Sequence, residues 1–139
     1  MKKILFLFTA LLILSCSSDD GDSTPLVVGT WKPVSSIQEN SNDNSTRNRL
    51  SACEVNTRIT FNANKTIGGM IYYGNDLNDC SSDQIINISW SFSGSKLKYI
   101  LVNGEDYEAT ITFSNNNNTM TEVVTEGPYR NTVVYSRVQ

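Results

Sequence analysis

Histidine is missing from the 139-residue chain, which removes the side chain that proteins use most often as a general base and as a metal ligand. The sequence also has no glycine-rich phosphate loop and no CxxC pair. Asp106 and Glu108 could suggest paired catalytic carboxylates, but they share a strand face with threonines, which indicates a solvated outer surface. We therefore predict a protein that is not an enzyme and has no metal site and no cofactor.

Charged residues are also scarce, and acidic ones predominate. Charged residues make up 18% of the chain, and 14 acidic residues outnumber 11 basic ones, which gives a formal net charge of −3. An acidic chain without a long basic run lacks the electrostatic footprint of a nucleic-acid-binding protein. The hydrophobic content of 39% is still sufficient for one small core, so we expect one folded domain that acts as a monomer.

Only one long hydrophobic run is present, and it lies at the start of the chain. Lys2 and Lys3 precede an apolar run at 4–14. A helix needs about twenty residues to cross the core of a bilayer, so this run is too short for a permanent span. Residues 1–15 therefore predict a signal peptide, with a buried N-terminal strand or helix as the alternative.

The sequence that follows, Leu12-Ile13-Leu14-Ser15-Cys16, resembles the lipobox of bacterial lipoproteins, although Leu14 stands where a small residue is common. The resemblance implies cleavage before Cys16 and fatty acids such as palmitate on that cysteine, which would hold the protein on a membrane. The polar residues 16–25 then form a predicted tether. Their acidic residues resemble a surface-export signal of one group of Gram-negative bacteria. We expect an outer-membrane lipoprotein on the periplasmic or the cell-surface face, and a plain spacer is the alternative reading of the tether.

Three cysteines are an odd number for an exported protein. If Cys16 carries lipid, Cys53 and Cys80 remain, and an oxidising compartment allows them to form a disulfide. Such a bridge would close a loop of about 28 residues and contribute roughly 3.5 kcal/mol in the chain-entropy model. A metal-binding or catalytic thiol pair is the alternative, which the lack of histidine disfavours.

Periodicity of two dominates the remaining residues, 26–139, and no segment has a helical stripe. Short strands joined by tight turns predict an all-β fold, an eight-stranded antiparallel up-and-down barrel, because closure leaves no exposed sheet edge. Gly68-Gly69 indicates a bulge or a sharp bend. The predicted strands lie at about 29–37, 54–62, 66–73, 85–93, 96–102, 106–114, 119–126 and 129–138, with long polar loops at 38–48 and 74–83.

Gly29-Thr30-Trp31, at the start of the first predicted strand, resembles the Gly-x-Trp signature of lipocalins, and Arg137 falls in the last strand. In lipocalins that tryptophan closes one end of the barrel beneath a basic residue, so the resemblance implies a stack of Arg137 on Trp31. Ordinary core and surface roles are the alternative. The stretches LVVGTWKPVSSI, ITFNANKTI and WSFSGSKLKY are similar to those of short lipocalin-like domains in bacterial surface lipoproteins. The Thr-Asp-Tyr signature of true lipocalins is absent, and no helical pattern follows the last strand.

An eight-stranded barrel is wide enough either to be filled by side chains or to hold one small ligand. Our first hypothesis is a membrane-anchored, non-catalytic protein that binds a small hydrophobic or amphipathic ligand in the barrel. The second is a solid scaffold whose Asn-rich loops, 38–49, 74–83 and 115–118, bind a protein or glycan partner. The aromatic residues that could line a ligand pocket, or equally form the packed core, are Tyr72, Trp90, Phe92, Tyr99, Tyr107 and Tyr135.

Overall fold

A computed structural model describes residues 24–139, and these form a closed antiparallel barrel of eight strands, as predicted. Two short extra strands, β2 and β5, lie at one end of the barrel. The eight barrel strands pair in chain order, and β10 returns to pair with β1. The strands are β1 Gly29–Asn40, β2 Ser45–Asn48, β3 Arg58–Phe61, β4 Thr66–Tyr73, β5 Ser81–Gln84, β6 Ile88–Ser93, β7 Lys96–Leu101, β8 Asp106–Ser114, β9 Thr119–Glu126 and β10 Tyr129–Arg137, with a 3-10 helix at Glu54–Asn56.

The alternation of the sequence determines which side of each strand faces inward. In β8, Ala109 and Ile111 are buried, whereas Thr110 and Thr112, which alternate with them, lie on the outer face. On that outer face Lys96 of β7 pairs with Glu108 at 3.1 Å, and Lys98 pairs with Asp106. Exposed ion pairs of this kind contribute only about 0–1 kcal/mol, so the barrel depends on burial along its inner face.

The inner face is not packed equally along its length. The up-and-down order brings the first described residues, the β3–β4, β6–β7 and β8–β9 turns and the end of β10 to one end of the barrel, which we call the closed end. The connections before β3, β6, β8 and β10 lie at the other end, the open end. The buried core lies toward the closed end and consists of Val27, Trp31, Phe61, Ile67, Ile85, Trp90, Leu97, Tyr99, Ala109, Ile111, Met120 and Tyr135.

The prediction of a strand over 54–62 was wrong in its first half, because β3 begins only at Arg58. Ser51 and Glu54 form a reciprocal capping box: the Ser51 backbone N–H donates to the Glu54 carboxylate at 2.8 Å, and the Glu54 N–H donates to the Ser51 hydroxyl at 3.1 Å. This box closes the turn that leads into the 3-10 helix, and Val55 within that helix is 41% exposed. Local hydrogen bonding therefore outweighs the strand-like alternation of this segment.

The predicted strand over 85–93 also began too early, because β6 starts at Ile88. Asn87 has a φ of 59°, which interrupts the strand, and Ile86 is 59% exposed. Both predicted loops contain strand residues as well. In the first loop, β1 extends to Asn40 and pairs with β2. In the second, β5 pairs with the part of β4 that follows its short pairing with β6.

The predicted bend at Gly68-Gly69 lies where β4 changes partner from β6 to β5. Gly69 has a φ of 126°, and a Cβ there would lie 2.0 Å from the Arg58 carbonyl oxygen. Only glycine fits such a position, because it has no Cβ atom to restrict φ or to clash with this oxygen. Within residues 24–139, no helix has the length and apolar character needed to cross a membrane.

The predicted disulfide between Cys53 and Cys80 is confirmed, with the two Cα atoms 5.4 Å apart. Cys53 is fully buried and precedes the 3-10 helix, whereas Cys80 lies just before β5. The bridge therefore ties together the two longest connections of the open end, where β3 is too short to join β1 to β4 along their whole length.

Removal of this bridge tests its contribution to stability. We expect the double variant Cys53→Ala, Cys80→Ala to lose about 2–4 kcal/mol of unfolding free energy, because its unfolded chain is no longer restricted by the closed loop. Urea titration measures this loss as a lower midpoint. A reducing agent should lower the wild-type midpoint to the same value and leave the variant unchanged. Equal midpoints for the oxidised wild type and the variant would contradict a stabilising role.

Candidate functional site

Arg137 and Trp31 meet at the closed end of the barrel. The guanidinium carbon of Arg137 lies 4.2 Å from the centroid of the Trp31 ring, the arrangement that the sequence resemblance implied. The same guanidinium donates hydrogen bonds of 2.7 Å to the carbonyl oxygens of Val28 and Leu26. The indole N–H of Trp31 donates to the Val27 carbonyl at 2.8 Å. This end of the barrel is therefore sealed by side chains whose polar atoms are all paired.

The glycine of the Gly-x-Trp motif has a steric role at this seal. Gly29 has a φ of 132°, and a Cβ built on it would lie 2.4 Å from the Nη1 atom of Arg137. The guanidinium can reach the Val28 carbonyl only because that space is empty. Gly29, Trp31 and Arg137 thus form one unit, although they come from the first and the last strand.

A buried carboxylate lies further along the barrel interior. Glu122 of β9 is only 7% exposed, and it accepts hydrogen bonds from the hydroxyls of Tyr99, at 2.8 Å, and Tyr135, at 3.0 Å. Burial raises the pKa of Glu122 above its usual value, although both hydrogen bonds act in the opposite direction. The rings of Tyr99 and Tyr107 stack with their centroids 4.4 Å apart. Residues 119–126 gave no clear inward face in the sequence, so the interior position of Glu122 was not predicted.

The open end contains a cleft of about 460 Å³. Inward residues of β1 and β10 form one side, where the Gln38 amide N–H donates to Asn131 Oδ1 at 2.9 Å. Residues at or near β3 and β4 and the segment after β2 form the other side. The lining combines apolar and polar side chains, namely Pro33, Ser36, Gln38, Arg49, Leu50, Glu54, Thr57, Ile59, Ile71, Tyr72, Asn131 and Val133.

The six aromatic candidates are not brought together in this cleft. Trp90, Tyr99 and Tyr135 are buried core residues, and the last two are occupied with the Glu122 carboxylate. Phe92 packs against the core, and Tyr107 stacks on Tyr99. Tyr72 is the one candidate in the cleft lining. Alternation placed Trp90, Phe92 and Tyr99 on inward faces, where the structure has them, but it could not distinguish the filled part of the barrel from the unfilled part.

A second, larger hollow of about 650 Å³ lies outside the barrel wall. It is formed by the outward faces of β1, β8, β9 and β10, and no inward side chain contributes to it. Its charged members, Glu39 and Arg130, form an ion pair at 3.0 Å. The remaining lining consists of Ser35, Ile37, Thr110, Thr112, Thr121, Val123, Thr132 and Val134.

No group of three or more potential metal ligands occurs among the residues from 24 onward. Asp106 and Glu108 each pair with a lysine on the outer face of the barrel and do not enter the cleft. The candidate lipidation residue, Cys16, lies outside the described residues.

A closed eight-stranded barrel sealed by a glycine, a tryptophan and an arginine defines the lipocalin class of fold. In agreement, the family model of the lipocalin-like domain matches residues 27–135, and this chain belongs to that family. No curated protein matches the chain. A lipocalin-like barrel is a scaffold suited to ligand binding.

Substitution of the buried carboxylate should change how stability depends on pH. Because the pKa of Glu122 is higher in the folded state than in the unfolded chain, folding opposes its ionisation. The stability penalty from ionising Glu122 is absent below a pH of about 4.5, the pKa of the unfolded chain. It grows as the pH rises from there through the folded-state pKa.

We therefore expect Glu122→Gln to gain stability relative to the wild type as the pH is raised. Urea unfolding at several values between pH 4 and pH 8 measures the difference in unfolding free energy between the two proteins. The readout is the slope of this difference against pH, not its absolute size, because the amide also alters the hydrogen bonds of Tyr99 and Tyr135. A difference that is constant, or that shifts in favour of the wild type with rising pH, would refute the assignment.

Proposed function

We propose that this protein is a non-catalytic binding protein, held on the outer membrane by lipid on Cys16, that takes a small hydrophobic or amphipathic ligand into the open end of its barrel. The observation that carries the proposal is the unequal filling of the interior. The closed half is packed, whereas the open half leaves a cleft of about 460 Å³ between inward side chains. Protein pockets that bind small molecules typically have volumes of about 300–1,000 Å³.

The chemistry of the interior supports binding rather than catalysis. The buried carboxylate of Glu122 has both oxygens engaged by tyrosine hydroxyls, and it is not part of the cleft lining. A general base must lie within hydrogen-bond reach of a substrate, and the chain has no histidine to take that role. The cleft instead offers apolar surface with a few polar groups, which is the composition of a binding site.

The position of the first described residues indicates the end of the barrel at which the proposed tether joins it. Leu26 and Val28 are held at the closed end by Arg137. A tether of the nine residues 17–25 extends at most about 30 Å. Lipid on Cys16 would therefore attach the protein through its closed end, which is opposite the cleft.

A second candidate function is recognition of a protein or glycan by the Asn-rich loops. The positions of two of the three loops favour it. The connections that contain 38–49 and 74–83 both lie at the open end, where Leu77 is 68% exposed. The loop 115–118 lies at the closed end. A partner could contact the first two loops together, beside the cleft, but not all three.

Adjacent serines of β1 offer a matched test of the binding site. Ser36 faces the cleft, whereas Ser35 lines the outer hollow. Native mass spectrometry of protein released from outer membranes in mild detergent should detect a bound small molecule in the wild type and in Ser35→Trp. Ser36→Trp should lose it, because the indole fills the cleft. Retention of the molecule by Ser36→Trp, or its absence from the wild type, would contradict the proposal.

The proposed anchor is tested by Cys16→Ala. We expect this variant to lose metabolically incorporated palmitate and to leave the membrane fraction or remain unprocessed, because the acceptor thiol is missing. The double variant Cys53→Ala, Cys80→Ala is the control and should keep the label. The proposed anchor would be disproved if palmitate were absent from the wild type, or if Cys16→Ala remained fully membrane-bound and processed.

A further inference from the structure

The polar side of the cleft contains one arginine, the exposed Arg49, whose backbone is hydrogen-bonded to β1. The Arg49 backbone N–H donates to the Ser36 carbonyl at 2.8 Å, so the strand-like contact of β1 with β2 continues by one residue beyond β2. This contact places Arg49 at the cleft, opposite an inward position of β1. Its guanidinium forms no ion pair and no hydrogen bond within residues 24–139, in contrast to those of Arg58, Arg130 and Arg137.

Glu54 is the one acid in the lining, and it forms no ion pair with Arg49. Its Oε2 atom accepts the Ser51 backbone N–H of the capping box at 2.8 Å. Asn131 uses its carbonyl oxygen for the Gln38 amide, and its own NH₂ group makes no hydrogen bond within the described residues. An arginine fork and an amide NH₂ are both donors, and they are suited to a group that accepts several hydrogen bonds.

The apolar members of the lining provide the complementary surface. Ile59 of β3, Ile71 of β4 and Val133 of β10 come from three different strands around the cleft, and Leu50 follows Arg49 directly. Val133 pairs with Glu122, so the apolar part of the cleft borders the packed core and its buried carboxylate. A ligand with an aliphatic or aromatic body could cover these side chains while its polar head remained at the level of Arg49.

We infer that the ligand of this cleft is an amphipathic carboxylate, with its apolar body over Ile59, Ile71 and Val133 and its carboxylate held by the guanidinium of Arg49. The inference rests on the proposed binding function and specifies its ligand class. Arginine is suited to this task because its planar fork matches the two oxygens of a carboxylate. The bound carboxylate would also give Arg49 the ion-pair partner that it lacks within residues 24–139.

A pair of photoreactive probes tests the inference on the mature, full-length protein in phospholipid nanodiscs. The probes are a medium-chain fatty acid that carries a diazirine and the primary alcohol of the same chain. We expect Arg49→Gln to weaken concentration-dependent labelling by the acid about tenfold, the effect of losing a charge-assisted pair, and to change labelling by the alcohol less than twofold. Arg130→Gln, on the outer face, is the matched control and should affect neither probe.

Peptide mapping of the cross-links separates the two claims. Labels on the peptides that contain residues 49–59 and 131–133, with the dependence on Arg49, support the inference. Equal labelling of the cleft by acid and alcohol, unaffected by Arg49→Gln, overturns the carboxylate assignment but leaves the proposed binding function standing. Failure of both probes to label the cleft in wild-type protein overturns both.

Discussion

The guanidinium of Arg137 connects three separate parts of the chain at the closed end of the barrel. It lies over the ring of Trp31, it binds the carbonyl oxygens of Leu26 and Val28 in the segment that leads into β1, and it donates to the Asn117 carbonyl in the β8–β9 turn at 3.2 Å. Hydrogen bonds from a charged donor contribute about 1.5–3 kcal/mol each, and a cation–π contact about 0.5–2 kcal/mol. These contacts lie directly at the pairing of Trp31 with Arg137, where the last strand joins the first.

The seal makes the two ends of the barrel different. Around Trp31 the inward side chains are large, apolar and fully buried, as are Phe61 and Met120. Halfway along the interior stands Glu122, a carboxylate that needs two tyrosine hydroxyls to remain buried. Beyond it, β3 is too short to close the wall between β1 and β4, and the disulfide-linked connections occupy that position. The cleft is thus a consequence of where β3 begins.

Much of this architecture could be predicted from the sequence, because alternation and turn residues are local properties. The strands β4, β8 and β9 begin and end as the pattern indicates. Two strands were predicted to begin too early, and the local causes were present in the sequence but were not recognised: the Ser51–Glu54 capping box and the left-handed Asn87. The Cys53–Cys80 bridge was predicted from the odd number of cysteines, with Cys16 assigned to lipid.

The candidate site was harder to predict, for a physical reason. Alternation indicates whether a side chain points inward, but not how far along the barrel axis it lies. Trp90 and Tyr72 were equal candidates in the sequence, yet Trp90 is a core residue and Tyr72 lines the cleft. Which of them meets a ligand depends on the register of the strands and on the length of β3, both of which are properties of the whole sheet. Arg49 belongs to a predicted loop, and its position is set by a single backbone hydrogen bond to β1.

Amide hydrogen exchange on the native protein tests most directly the claim that one end of the barrel is sealed and the other is open. Protection should be highest for strand residues near the seal, such as Phe61, Met120 and Tyr135, and these amides should exchange only through global unfolding. The amides of Gln38, Arg47 and Tyr129, at the open end, should exchange faster through local opening. Equal protection at both ends, or stronger protection around Gln38 than around Met120, would contradict the account.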